Sequence, residues 1–377
     1  MQVDLYNLSP ALQLMGVGLL VAGLPLLWSW RKHRTAGPAR RLKALTVLTL
    51  ILTFELVLVG AFTRLTDSGL GCPDWPGCYG SATPLGAHHD IAQAQAAMPT
   101  GPVTHGKAWI EMVHRYMATG VGVLIIALCA LTWRQWWRDR RLAVHPGWPL
   151  LSLVWVCLQG AFGALTVTMK LFPLIVSLHL LLAIGLLALL VVQAVRYEGW
   201  RSVVIPRGLR WALVAAWLLL WLQIALGAWV STNYAVLACS DFPTCQGQWW
   251  PEMNGLGFRL WRELGLDSDG QPLPFAALAS IHYIHRCMAW VVLAVLLGVG
   301  WRLRLQPGLV RPAQALLALA VLQFFTGLSN VVLDWPLFSA VLHTGGAAAL
   351  MMTLTWALSL STTSVASQLF MDTRPVA

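Results

Sequence analysis

Charge is what this chain has least of. Only 11% of its 377 residues are Asp, Glu, Lys or Arg, while 58% are hydrophobic and the mean hydropathy is +0.66. A soluble domain carries roughly a quarter charged residues, so a water-soluble fold is excluded. Basic residues are also missing from the start: no Lys or Arg precedes Arg31, and the cationic cluster follows the first apolar run. A cleaved secretory signal needs a basic beginning, so the first run reads as a true span with its N-terminus outside. Cysteine is scarce as well, seven in all, and four of the seven are spent on two copies of one motif.

What is present in abundance is long apolar runs, each near the ~20 residues needed to cross a bilayer core. The spacing predicts an all-α polytopic membrane protein with nine spans, at 11–30, 44–63, 108–132, 149–168, 173–195, 210–230, 278–300, 313–333 and 337–359. The basic residues give an orientation. Eighteen of the 25 Lys and Arg fall in segments that this topology places in the cytoplasm, among them Arg31, Arg141, Arg201 and Arg374. Five fall in the opposite segments, and Arg115 and Arg286 lie within spans. That split obeys the positive-inside rule and puts the C-terminus in the cytoplasm. The net charge of +10 then faces anionic headgroups of the lipid bilayer rather than a nucleic acid.

The motif C-x-D-aromatic-P-x-C occurs at Cys72–Cys78 (CPDWPGC) and again at Cys239–Cys245 (CSDFPTC). Both copies fall on the outer, oxidising side of a bacterial inner membrane, where disulfides persist. A disulfide in each loop is the preferred reading and a zinc site the rival, since Asp-aromatic-Pro suits a tight turn better than a four-ligand cage. Cys129, Cys157 and Cys287 fall within spans and read as buried, small apolar residues.

The repetition extends further. Gly60–Cys72 aligns without a gap on Gly227–Cys239, Glu111–Ala118 on His282–Ala289, the GALTV of span four on the Gly327 region, and SLH at Ser177–His179 on VLH at Val341–His343. Spans two to five thus recur as spans six to nine, as parallel repeats about an axis along the membrane normal. This divides the chain into an extra N-terminal helix with a basic cytoplasmic loop (1–43), a first four-helix bundle (44–195), a second, pseudo-symmetric four-helix bundle (210–359) and a cytoplasmic tail (360–377).

Four of the ten histidines, His114, His179, His285 and His343, lie five to eight residues inside the outer ends of their spans, or roughly 8–12 Å deep at about 1.5 Å per residue. A single intramembrane histidine is usually a packing or hydrogen-bonding residue. Four at one depth, one from the second and one from the fourth helix of each repeat, suit six-coordinate haem iron between facing helices. His88, His89 and His105 read as solvated loop residues. Where the second repeat has His282, the first has Glu111, on the same helix face as His114. Glu111 is either a charge partner of Arg115 or Arg64 or a proton-handling, cation-stabilising group. Arg115 and Arg286 directly follow proposed ligands; they hold haem propionates or simply mark where the helix emerges. A di-haem membrane cytochrome b that takes electrons from quinol would share the histidines but leaves Glu111 and the cysteine pairs without a reason. A haem exporter would need one open site rather than two closed bundles.

Taken together, TRLTDSGLGCPDWPGC, E-x-x-H-R, SLH, the second cysteine loop, I-H-x-x-H-R and LHTGGA resemble the haem A synthase family, over spans two to nine. The resemblance implies oxidation of the C8 methyl of haem O, through a hydroxylated intermediate, to the formyl of haem A for cytochrome oxidase. It implies haem b as cofactor on His285 and His343, and a substrate bundle with His114, His179 and Glu111. It further implies an active external pair, Cys72 and Cys78, and a second disulfide, Cys239–Cys245. Haem O synthase and oxidase assembly factors are the partners it implies. Span one lies outside the likeness.

Overall fold

A computed structural model describes residues 9–140, 145–197 and 202–363. Arg141, Arg201, Arg374 and all but the first residues of the expected tail lie outside the described residues. Within them, nine helices are long and apolar enough to span a membrane. They are α1 (Ser9–Lys32), α2 (Pro38–Leu65), α4 (His105–Arg138), α5 (Gly147–Thr168), α6 (Pro173–Tyr197), α7 (Arg207–Thr232), α8 (Phe275–Leu303), α9 (Val310–Val332) and α10 (Leu337–Leu360). The short α3 (His88–Ala97) lies between α2 and α4, and two-residue strands β1 (Val203–Val204) and β2 (Ser361–Thr362) pair in parallel. The chain is therefore an all-α polytopic membrane protein.

The helices start where local chemistry permits. Proline, whose missing N–H costs nothing in a first turn, opens α2 and α6 and immediately precedes α8 and α10. Thr104 caps α4 by accepting from Lys107 N at 3.3 Å. Helices α4 and α8 begin three residues before the expected spans, so His114 and His285 sit nine and ten residues inside, against six for His179 and His343. Two expectations are corrected. His88 and His89 head a helix rather than lying in a loop, because the short, polar α3 has no span-length apolar run to betray it, and His105 opens α4, which starts three residues before its apolar run. Cys157 and Cys287 are exposed, and only Cys129 is buried. In a membrane the outward face is as apolar as the core, so residue type does not distinguish the two.

The chain divides into two compact units, residues 1–193 with 260–270, and residues 194–259 with 271–377. In the second unit α7, α8, α9 and α10 each pack on the next, and α10 returns to α7. In the first, α4 packs against α2 and α5, while Trp155 Nε1 donates to Leu182 O at 2.7 Å to tie α5 to α6. Helix α1 lies along α4 through small residues: a Cβ on Gly18 would stand 2.4 Å from Thr119 Cγ2, and one on Gly120 2.9 Å from Val21 Cγ1. Such notches let helices approach where no hydrophobic effect drives them together.

The backbone repeats even where the residues do not. Among the described residues eight non-glycine residues have left-handed φ, and they fall into matched pairs: Asp67 and Tyr234, Tyr79 and Gln246, Lys170 and Asp334, Leu171 and Trp335. The last two pairs form the turns joining α5 to α6 and α9 to α10. Among the described residues one cis Xaa-Pro bond occurs in each half, at Trp75–Pro76 and Phe242–Pro243.

Filling the α1–α4 notch provides a test. Gly18→Leu is expected to destabilise the first unit by about 1–3 kcal/mol through overpacking, lowering the thermal midpoint in detergent. Gly16→Leu, whose Cβ meets nothing within 4 Å, is expected to leave that midpoint unchanged.

Candidate functional site

Each histidine-bearing end is roofed by a cysteine loop. Cys72 is joined to Cys78 and Cys239 to Cys245, which resolves the choice between disulfide and zinc at these loops. All four are 0–1% exposed. The first pair is packed under Leu14 of α1, Ile91 of α3 and Met112 of α4. In the first loop Cys78 and Ser81 exchange backbone hydrogen bonds at 2.7 and 2.9 Å. Between them Tyr79 and Gly80 both have positive φ, as the tightest hairpin turn requires. The Asp74 carboxylate accepts from the N–H groups of Tyr79 (2.6 Å) and Gly80 (2.7 Å). The second loop repeats this with Asp241, Gln246 (2.6 Å) and Gly247 (3.0 Å), and adds the Thr244 hydroxyl. These donors, the Thr244 hydroxyl foremost, hold the Asp241 carboxyl below the usual carboxylate range.

Arginine fastens each loop to its helix. Arg115 Nη1 donates to the carbonyls of Asp74 (3.0 Å), Pro76 (3.2 Å) and Gly77. Arg286 donates to those of Asp241 (2.8 Å), Thr244 (3.1 Å) and Cys239 (2.6 Å). Each arginine thus clamps its loop to the helix end, a role the sequence had not suggested. One turn before each arginine the halves differ. Glu111, 3% exposed, accepts from Cys72 N at 2.8 Å through Oε2 and from Arg115 Nη2 at 2.5 Å through Oε1. Arg64 pairs instead with Asp67 at 3.2 Å. In the second half the corresponding contact is from Arg286 Nε to His282 Nε2 at 3.3 Å.

The four histidines come together in two pairs. His114 and His179 lie within electrostatic reach of each other, as do His285 and His343. Every ring is set against a glycine of a neighbouring helix. A Cβ on Gly60 would lie 3.2 Å from His114 Nε2, one on Gly163 3.1 Å from His179 Cε1, one on Gly227 3.0 Å from His285 Cε1, and one on Gly327 3.1 Å from His343 Cε1. Sequence comparison had aligned these glycines without giving them a purpose. It also missed three glutamines, each four residues before its glycine. Gln159 Nε2 donates to His179 O (3.1 Å), Gln223 Nε2 to His285 O (3.2 Å) and Gln323 Nε2 to His343 O (2.8 Å). Thr326 Oγ1 stands 3.0 Å from His343 Nδ1. The signal was a thrice-repeated Q-x-x-x-G, one helical turn long. His88, at the head of α3, and His105, the first residue of α4, stack at 4.5 Å.

Paired imidazoles in an apolar bundle are the donor set of a bis-histidine haem, and the glycine notches leave each ring room beside its neighbouring helix. Among the described residues no group of three or more His, Cys, Asp or Glu is placed to hold a bare metal ion.

Residues 43–355 match the family described as cytochrome oxidase assembly protein. A relative from Shewanella oneidensis, named heme A synthase, is 38% identical over 81% of this chain and 92% of its own length. Relatives of the same name are 28% identical in Halalkalibacterium halodurans (81% and 91% covered) and 30% identical in Methylobacterium nodulans (78% and 84% covered).

The Asp241 contacts carry a pH dependence. A carboxyl whose pKa is depressed by folding contributes stability above its unfolded value, about 3.9, and loses it as pH falls through the folded value. Hydrogen exchange at Gln246 and Gly247, corrected for intrinsic rates, is expected to stay slow at pH 5 and accelerate only below pH 4. Asp241→Asn is expected to exchange fast throughout.

Proposed function

The chain belongs to the cytochrome oxidase assembly protein family, and on that premise we propose that it is a haem A synthase, an oxidoreductase that converts haem O to haem A. The observation that carries this is the asymmetry between otherwise matched sites. Both halves have a notched histidine pair under an arginine-clamped loop, but among the described residues only the first has a buried carboxylate, Glu111, one turn from its histidine.

In this reading His114 and His179 hold the substrate haem O, while His285 and His343 hold haem b, which would supply a one-electron redox centre. Conversion of methyl to formyl consumes one water and yields four protons and four electrons, the electrons leaving one at a time to an electron acceptor outside the chain. Glu111 has both oxygens met by donors, Cys72 N–H and Arg115 Nη2. A carboxylate so held, in a water-poor site, stabilises positive charge building at the reacting carbon and accepts a proton from the attacking water. Arg115 fixes it there and, through the loop carbonyls, keeps the disulfide roof closed. Cys72 and Cys78 are too enclosed to meet a dissolved thiol directly. A redox role for that pair requires the Leu14 and Ile91 cover to lift, and the staple role does not. Propionates of each haem would meet Arg115 and Arg286 at the same edge.

The basic residues favour cysteine loops on the periplasmic side of a bacterial inner membrane, an outside N-terminus and a cytoplasmic C-terminus. Haem O synthase would deliver the substrate and oxidase assembly factors would take the product.

Pigment extraction with mass analysis, after co-expression with a source of haem O, tests this. Wild type is expected to yield haem A and its hydroxylated precursor. Glu111→Ala is expected to lose at least 100-fold of that product while keeping its haem b, and Glu111→Gln nearly as much. Unaltered haem O in the wild type would leave a di-haem cytochrome instead. Gly227→Ala, which crowds His285, is expected to cut the haem b content of the second bundle.

A further inference from the structure

The glutamine pattern is incomplete in one place. Counting four residues back from each notch glycine gives Gln159, Gln223 and Gln323 in α5, α7 and α9, but Leu56 in α2. Glutamine and glycine four apart share a helix face, so each amide lies over the histidine that its glycine accommodates. Gln223 Nε2 is 3.1 Å from His285 Nδ1, and Gln159 Nε2 is 3.4 Å from His179 Nε2. His343 has both Gln323 on its carbonyl and Thr326 on its ring. The His114 ring has no hydrogen-bond partner among the described residues. Its orientation differs too: three rings turn Cε1 to their glycine, whereas His114 turns Nε2, one of its two possible donor nitrogens, toward Gly60 of α2.

A metal-bound imidazole needs an acceptor for its other N–H, and such partners set ring orientation and ligand strength. Thr326 Oγ1 serves His343, while its own proton goes to Leu322 O at 2.9 Å. For His179 and His285 the glutamine amide nitrogen lies between the ring and the histidine's own carbonyl and donates to that carbonyl, at 3.1 Å from Gln159 and 3.2 Å from Gln223, so each amide fixes the helical turn that carries the ring. Leu56 can offer nothing of the kind.

We propose that Gln159, Gln223 and Gln323 are positioning residues that hold three histidines as standing ligands. Leu56 leaves His114 as the ligand that disengages when haem enters or leaves the first bundle. The inference rests on the haem reading of both bundles given above. It assigns the exchangeable face of the substrate site to the side that carries Glu111, where the reacting group needs access, and it makes the second bundle a site of retention.

The test uses full-length protein purified from membranes, with haem transfer to an excess of apomyoglobin and the carbon monoxide difference spectrum of the reduced protein as readouts. In wild type, first-bundle haem is expected to transfer and bind carbon monoxide, and second-bundle haem to do neither. Leu56→Gln is expected to slow first-bundle transfer about tenfold, within the usual range for partners of metal ligands, and to suppress its carbon monoxide adduct. Leu56→Met should do neither. Gln159→Leu is expected to speed transfer, and Gln223→Leu to make the second bundle reactive to carbon monoxide. If Leu56→Gln matches wild type in both readouts, or Leu56→Met matches Leu56→Gln, the proposal is overturned. Should Leu56→Gln fail to accumulate, unchanged transfer in Gln159→Leu overturns it. A wild type that carries no haem in either bundle sinks the underlying reading instead, a separate result.

Discussion

Each imidazole in this protein has to be accommodated inside an apolar helix bundle, where an extra side chain on the facing helix would leave it no room. Glycine solves that steric problem four times. At Gly60, Gly163, Gly227 and Gly327 even a single methyl group would come within 3.0–3.2 Å of a ring. Much else in the architecture follows from that contact. The helix carrying the glycine must pair with the helix carrying the histidine, α2 with α4, α5 with α6, α7 with α8 and α9 with α10. The short turns at Lys170–Leu171 and Asp334–Trp335 hold two of those pairs in register with left-handed backbone.

The second constraint is at the loop ends, where the chain must close over the bundle without leaving polar backbone groups unpaired. A disulfide, an Asp that collects two N–H groups and an arginine that collects three carbonyls do this in both halves. The arginine comes from the helix that bears the histidine, so loop, helix and imidazole are mechanically one piece. In the first half Glu111 joins the same network through Cys72 N–H. A single side chain thereby connects the disulfide roof to the site beneath it, and His282 provides no equivalent charge in the second half.

Much of this was legible in the sequence. Nine spans, the repeat, two disulfides and the four histidines each have a pattern that survives without neighbours: long apolar runs, an exact cysteine spacing, histidines at matching depth. The function followed from the family motif and from Glu111 breaking the symmetry. The sequence alone determined these because membrane length and covalent spacing are properties of the chain itself.

Only the tertiary structure decided which apolar residues face inward. Cys129 and Cys157 look alike in sequence, since lipid and core are equally apolar, yet one is buried and the other exposed. Only in the tertiary structure does the Arg115 guanidinium come against the Asp74, Pro76 and Gly77 carbonyls, groups that every residue possesses and no sequence marks. The glutamines were overlooked for the same reason. A Gln in a span announces polarity but not its target, and that the target is a histidine on the next helix depends on how two helices turn toward each other.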